Sequence, residues 1–223
     1  MSKYINTSVL LVCLLALVGC SHAPVSHTPA MAIIEKTDAV TAADGTDTNS
    51  TQVDDTDPEI LAQYQRALTL MADEKFTSAE KILQKIILEN PDLAGPYVNL
   101  GIIYQKTDKD TEAEQALKQA IEHNPENIIA HNQLGILYRK SGRFDEARQM
   151  YDKALEIDPQ YATAHLNLGI LYDLYLNRPQ MALSHYQRYL ELNNADDKQV
   201  ELWIADIKNR ADQSPAQTGG EQP

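Results

Sequence analysis

Between Ala94 and Pro159 the apolar residues recur at helical spacing, with polar and charged residues in the gaps. Tyr97, Leu100, Gly101 and Tyr104 fall at i, i+3, i+4 and i+7, one face of a helix. Ala113, Leu117 and Ala120 fall at i, i+4 and i+7 of a second helix, and Pro125 stops it because its ring cannot continue the hydrogen-bond ladder. The pattern then starts again with Leu134, Gly135 and Tyr138, followed by Ala147, Tyr151, Ala154 and Pro159. An interval of 34 residues separates Gly101, Gly135 and Gly169, and the same interval holds for Tyr104, Tyr138 and Tyr172 and for Pro91, Pro125 and Pro159. The spacing predicts an all-α array of stacked helix pairs, with small residues where the two helices of a pair cross.

The phrases Asn99-Leu100-Gly101, Gln133-Leu134-Gly135 and Asn167-Leu168-Gly169, with the tyrosines, alanines and prolines in step, resemble the tetratricopeptide repeat. The resemblance implies a right-handed superhelical α-solenoid of about four helix pairs plus a C-terminal capping helix. Residues 94–161 follow the pattern closely. Residues 60–93 keep Ala67, Ala79, Leu83 and Pro91 but put Arg66 where Leu belongs and Ile86 where Ala belongs. Residues 162–196 need one extra residue near Asn177, Arg178 and Pro179 to bring Ala182 and Tyr186 into phase. Terminal repeats depart from a pattern because one face meets water. Val200, Trp203, Ile204 and Ile207 then read as the cap, over about 197–212.

The start of the chain has a different character. Lys3 precedes an apolar run from Val9 to Val18, which at about ten residues is half of what a spanning helix needs and reads as a secretory leader. Leu17-Val18-Gly19-Cys20 resembles the bacterial lipobox, which implies cleavage after residue 19 and lipid on Cys20. Ser21 after that cysteine implies, by the same resemblance, the periplasmic face of the outer membrane. With Cys13 lost and Cys20 lipidated, no thiol is left for a disulfide, a metal or catalysis. Two or more acyl chains hold a protein on a bilayer durably. Residues 20–57 lack aromatic residues and are rich in Ala, Thr, Asp, Ser and Pro, a composition that predicts an unstructured tether between anchor and repeats. The expected organisation is therefore leader 1–19, lipidated cysteine and tether 20–57, repeat domain 58–212 and polar tail 213–223.

Charge narrows the partners. The chain has 19 basic and 32 acidic residues, a net charge of −13, and loss of Lys3 with the leader takes it to about −14. Nucleic acid and anionic lipid surfaces are poor partners for such a molecule. No paired carboxylates, nucleophile with base, metal-ligand spacing or phosphate loop stands out, so no catalytic residues, metal or cofactor are expected. His131 and His165 lie one period apart and read as packing residues, while His123 and His185 have no ligand partner at helical spacing.

What remains is a surface. The resemblance implies that first helices line a groove, where the sixth repeat position gives Gln65, Asn99, Gln133 and Asn167. Carboxamides both donate and accept, so a ladder of them suits the backbone of an extended peptide. Beside it the ninth position gives the apolar stripe Leu68, Ile102, Ile136 and Ile170, and Lys106, Arg139 and Lys140 form a basic cluster at the edge. The second positions, Leu61, Gly95, Ile129 and Thr163, lack the lysines of chaperone-type carboxylate clamps. The expected function is a non-catalytic adaptor for envelope proteins. By layout it is similar to pilotin lipoproteins of type IV pili and to lipoproteins that dock peptidoglycan hydrolases, with a structural homo-oligomer as a further option.

Overall fold

A computed structural model describes residues 57–193 and 197–213. The leader, Cys20, the tether before Asp57 and the tail beyond Gln213 lie outside the described residues.

Every element among the described residues is helical. The order is α1 (Pro58–Ala72), α2 (Phe76–Glu89), α3 (Ala94–Lys106), α4 (Asp110–His123), α5 (Ile128–Lys140), α6 (Phe144–Ile157) and α7 (Ala162–Ile170), which runs on into a π-helical turn, Leu171–Tyr175. Then come α8 (Pro179–Leu192) and α9 (Lys198–Gln213). The closest packing is within each pair, α1 with α2, α3 with α4, α5 with α6 and α7 with α8, and each second helix packs on the next first helix. Among the described residues no helix is long and apolar enough to cross a membrane.

The crossing inside the last three pairs is set by glycine, and in the first pair by the fully buried Ala67 at the same repeat position. A Cβ added to Gly101 would lie 2.6 Å from Leu117 Cγ, one on Gly135 2.5 Å from Tyr151 Cε1, and one on Gly169 2.4 Å from Tyr186 Cδ1. Each glycine therefore receives a large side chain of the partner helix, and Ala113, Ala120, Ala147, Ala154 and Ala182 are fully buried around those contacts. Leu100, Leu134 and Tyr138 are buried with them, as is Tyr172 in the last pair, while Tyr104 is half-buried.

Two kinds of turn join the helices. Within a pair, one residue adopts positive φ: Glu74 (57°), Asp108 (56°), Gly142 (75°) and Asn177 (49°). The following amide closes the turn on a carbonyl near the end of the first helix, as Lys109 N does on Tyr104 O and Arg143 N on Tyr138 O, both at 2.8 Å. Between pairs, Asn124 Oδ1 accepts from Glu126 N (3.1 Å) and Asp158 Oδ1 from Gln160 N (2.8 Å), bridging the prolines that stop the second helices.

The extra residue of the last repeat does not sit at Asn177–Pro179. It is taken up earlier, in the π turn, where Leu176 N bonds Leu171 O five residues back at 3.0 Å. The closing bond then runs from Arg178 N to Tyr172 O, one residue longer than in the other pairs. A π turn widens a helix by one residue without breaking its ladder, so Ala182 and Tyr186 return to phase. On the far side, α9 buries Val200, Ile204 and Ile207, sets Trp203 against Tyr186 with ring centroids 5.4 Å apart, and pairs Arg210 with Asp173 of the π turn at 2.7 Å.

Candidate functional site

The first helices carry the residues that sequence reasoning assigned to a groove, and the structure changes their meaning. Only Gln65 of the four carboxamides is exposed. Asn99 is buried, and its Nδ2 donates to Tyr64 Oη at 2.6 Å on the preceding first helix and to Gly95 O at 3.2 Å. Asn167 is buried, and its Nδ2 donates to Asn132 Oδ1 at 2.9 Å, again on the preceding first helix. Gln133 is buried, with its backbone carbonyl accepting from Gln105 Nε2 at 3.5 Å. The reading of Asn99 and Asn167 as free grips is corrected: their amides brace one repeat against the next, because Tyr64 and Asn132 stand opposite at the same level. Burial pushes the Tyr64 hydroxyl up to about 12 in spite of the hydrogen bond from Asn99, so the phenol stays neutral.

The apolar stripe also turns inward. Ile102, Ile136 and Ile170 are buried and Leu68 is half-buried against the core. In the basic cluster, Lys106 and Lys140 are exposed, but Arg139 is 1 % exposed, with Nε 3.4 Å from Tyr151 Oη and its guanidinium 5.9 Å from the Tyr175 ring. Arg139 is thus not an edge residue. The guanidinium is weakly hydrated and stacks on rings, which is why it tolerates this position.

A second set of contacts escaped sequence reasoning. Tyr104 Oη donates to Glu80 Oε1 at 3.2 Å, and Lys109 approaches both that carboxylate (3.6 Å) and the Tyr104 ring (5.2 Å). One period later Tyr138 Oη donates to Glu114 Oε1 at 3.1 Å, and Arg143 pairs with Glu114 (2.9 Å) and lies 3.9 Å over the Tyr138 ring. Burial alone would raise Glu114, but donors from Lys118, Arg143 and Tyr138 outweigh it and hold the carboxyl below its ordinary range. The signal was present in the sequence as the 34-residue interval between Glu80 and Glu114 and between Lys109 and Arg143.

Two of the histidines pack as expected, His131 buried and His165 half-buried. His131 Nε2 lies 2.9 Å from Pro125 O and His165 Nε2 3.2 Å from Pro159 O, so both rings are fastened to the turn before their helix. His185 has no ligand partner at helical spacing on its own helix, but it meets His165 across the helix pair with Nδ1 to Nδ1 at 3.1 Å. Burial, and after it the neighbouring His165, pushes His185 down to about 4, so it is uncharged near neutrality. No cluster of three or more metal-ligating side chains occurs among the described residues.

Comparison with known proteins agrees with this architecture. The family model for the tetratricopeptide repeat matches residues 92–160 and 126–195. No curated protein matches the sequence. Among solved structures, one described as a functional characterization of Pseudomonas aeruginosa pilF superposes with a TM-score of 0.64 at 22% identity, covering 69% of each chain. TTC0263, a thermophilic TPR protein of Thermus thermophilus, gives 0.57 at 19% identity over 68% of this chain and 82% of its own. MamA gives 0.53 at 25% identity over 60% and 73%. The period, the glycine crossings and these matches converge: residues 92–195 are tetratricopeptide repeats, and the helical array they belong to is an α-solenoid.

Proposed function

We propose that this chain is a non-catalytic adaptor of the bacterial cell envelope, whose repeat domain holds a protein or peptide segment while lipid on Cys20 keeps it at the periplasmic face of the outer membrane. The observation that carries the binding part is the row of first helices α1, α3, α5 and α7, of which the family model matches α3, α5 and α7. A repeat array offers an extended surface because each unit contacts only its neighbours. The anchor rests on Leu17-Val18-Gly19-Cys20 and on the composition of the tether. The likeness to the pilF structure is one of fold alone and does not choose between a pilus assembly factor, a docking protein for cell-wall enzymes and a homo-oligomer.

Of the residues first assigned to the groove, Gln65, Lys106 and Lys140 are exposed, and they mark where a client meets this face. Photocrosslinking amino acids placed at Gln65 and Lys106 should capture a protein from the envelope, while the same groups at Gln119 and Lys153 of the second helices should not. Capture from the second helices alone would move the working surface to the other layer. Separately, Cys20→Ser should abolish labelling by a fatty-acid probe and release the chain from outer-membrane fractions. A mutant that stays acylated and sediments with that membrane removes the lipid anchor from the proposal.

A further inference from the structure

Repeats three and four treat the same histidine differently. In both, a first-helix imidazole bonds through Nε2 to a carbonyl of the preceding turn, Pro125 for His131 and Pro159 for His165. A carbonyl only accepts, so Nε2 carries the hydrogen and the neutral ring presents Nδ1 as a lone pair. In the third repeat that lone pair is buried and has no partner. The residue in register with His185 there is Met150, since Tyr151 and Tyr186 are equivalent, and a thioether offers no hydrogen. In the fourth repeat His185 supplies a second imidazole, with its Nδ1 3.1 Å from Nδ1 of His165 and the Tyr172 ring stacked on its face.

We propose that His165 and His185 form a two-imidazole site for a borderline divalent transition ion, taking Cu2+ in preference to Zn2+. Imidazole nitrogen suits these ions, and copper binds more tightly at such sites. With metal–nitrogen bonds of about 2.0 to 2.1 Å, nitrogens held at the observed spacing subtend about 100° at the ion, between the square-planar and tetrahedral angles. The rings are 5.3 Å apart between centroids and face each other nearly head-on. The ion therefore sits beside the line joining the nitrogens, and each ring pivots by about 40° about its soft terminal torsion. His185 must move its hydrogen from Nδ1 to Nε2, a change of tautomer that releases no net proton. The bond from His165 Nε2 to Pro159 O is the outer contact that orients a metal-bound imidazole. Water completes the coordination, and the ion ties α7 to α8.

The test uses the mature chain, with Cys20 blocked by its lipid or by alkylation and with His22→Ala and His27→Ala, so that groups outside the repeats do not compete. Calorimetric titration with Cu2+ should give one saturable equivalent, and Zn2+ should bind more weakly. His165→Ala and His185→Ala should each weaken Cu2+ by about tenfold or more, while His131→Ala changes nothing. Cu2+ should also raise the melting temperature of the parent but not of His185→Ala. Because a substitution in the last repeat can disturb folding, the parent is followed by NMR as well: substoichiometric Cu2+ should broaden the imidazole signals of His165 and His185 ahead of those of His123 and His131. Absence of saturable binding, binding that survives both substitutions, or broadening led by another histidine overturns the proposal.

Discussion

Between the second and third helix pairs, Tyr138, Arg143 and Lys118 converge on Glu114 at distances of 3.1, 2.9 and 2.7 Å. Between the third and fourth, Arg148 stands where that carboxylate would be, and the tie is instead the buried bond from Asn167 to Asn132. The first junction has both devices, Glu80 with Tyr104 and Lys109, and Asn99 with Tyr64. The second has the clasp together with a bond from Gln105 Nε2 to the Gln133 carbonyl, and Val98 stands where Tyr64 and Asn132 supply the acceptor of the amide brace at the other two junctions. The third has the amide brace without the clasp, and adds the ring of Tyr175 packed against Arg139 and Phe144, on the side of the array that also carries the π turn and the cap. One stacking geometry is thus secured by interchangeable polar devices, while the small-residue crossings stay constant.

The largest effect should come from that constant part. Gly135→Ala and Gly169→Ala each place a methyl group under 3 Å from a buried tyrosine ring on the partner helix. The rings are enclosed, so relief requires the helices to separate, at a cost of about 1 to 3 kcal/mol or more. Both variants should lose several degrees in thermal melts, and Ala154→Leu should behave likewise. Lys153→Leu, which gives up only an exposed pair with Glu156, should stay within about 0.5 kcal/mol of the parent. Equal losses at Gly135 and Lys153 would reject the assigned crossing.

The crossings were legible in the sequence because a fixed period repeats the same steric demand three times. The site was less so. Periodicity places Asn99, Gln133 and Asn167 on one helix face, but it does not reveal that Tyr64 and Asn132 stand across from two of them and draw their amides into the array. Arg139 was misjudged for a similar reason: its partners, Tyr151 and Tyr175, lie on neighbouring elements whose approach depends on helix spacing. The misplaced insertion has another cause, since a π turn leaves no mark of composition and the loop at Asn177 looked like the natural place for an extra residue.

The next effect tests the inner brace. Asn167→Ala leaves Asn132 Oδ1 without its donor in a fully buried setting, where Asn132 Nδ2 already has no partner. Stranding a buried polar atom costs about 1 to 3 kcal/mol, so this variant should melt earlier than Val98→Ala corrected for lost apolar area. Hydrogen exchange should accelerate in α7, α8 and α9 and not in α1 to α4. Uniform acceleration along the chain would show that the brace does not act locally.

A smaller and pH-dependent effect belongs to the outer clasp. Glu114→Ala removes the acceptor of three donors, but the carboxylate is partly exposed, which limits the loss to about 1 kcal/mol. Its folded pKa lies below the ordinary value, so the contribution is complete above the ordinary carboxylate range and fades as pH falls through the folded pKa. The difference in stability between parent and Glu114→Ala should therefore shrink on acidification. A difference that holds at low pH would assign the loss to packing.

The smallest effect is the most pointed, because it tries to build the clasp where it is missing. Arg148→Glu restores a carboxylate at the position that Glu80 and Glu114 hold in the earlier repeats, opposite Tyr172 and with Arg178 at the end of the turn. If the junctions are interchangeable, the new carboxylate accepts from Tyr172 and pairs with Arg178. The gain should be about a few tenths of a kcal/mol, since Arg148 also gives up its approach to Asp152 at 3.7 Å and an acidic neighbour is added. The π turn decides the sign. It adds a residue between Tyr172 and Arg178, so Arg178 reaches the ring from a different angle than Arg143 reaches Tyr138. A measured gain that vanishes in Arg148→Glu with Arg178→Ala would establish that the longer turn still delivers its cation. A loss in the single variant, with no coupling to Arg178, would mean that the inserted residue removed the clasp from this junction and left the amide brace to replace it.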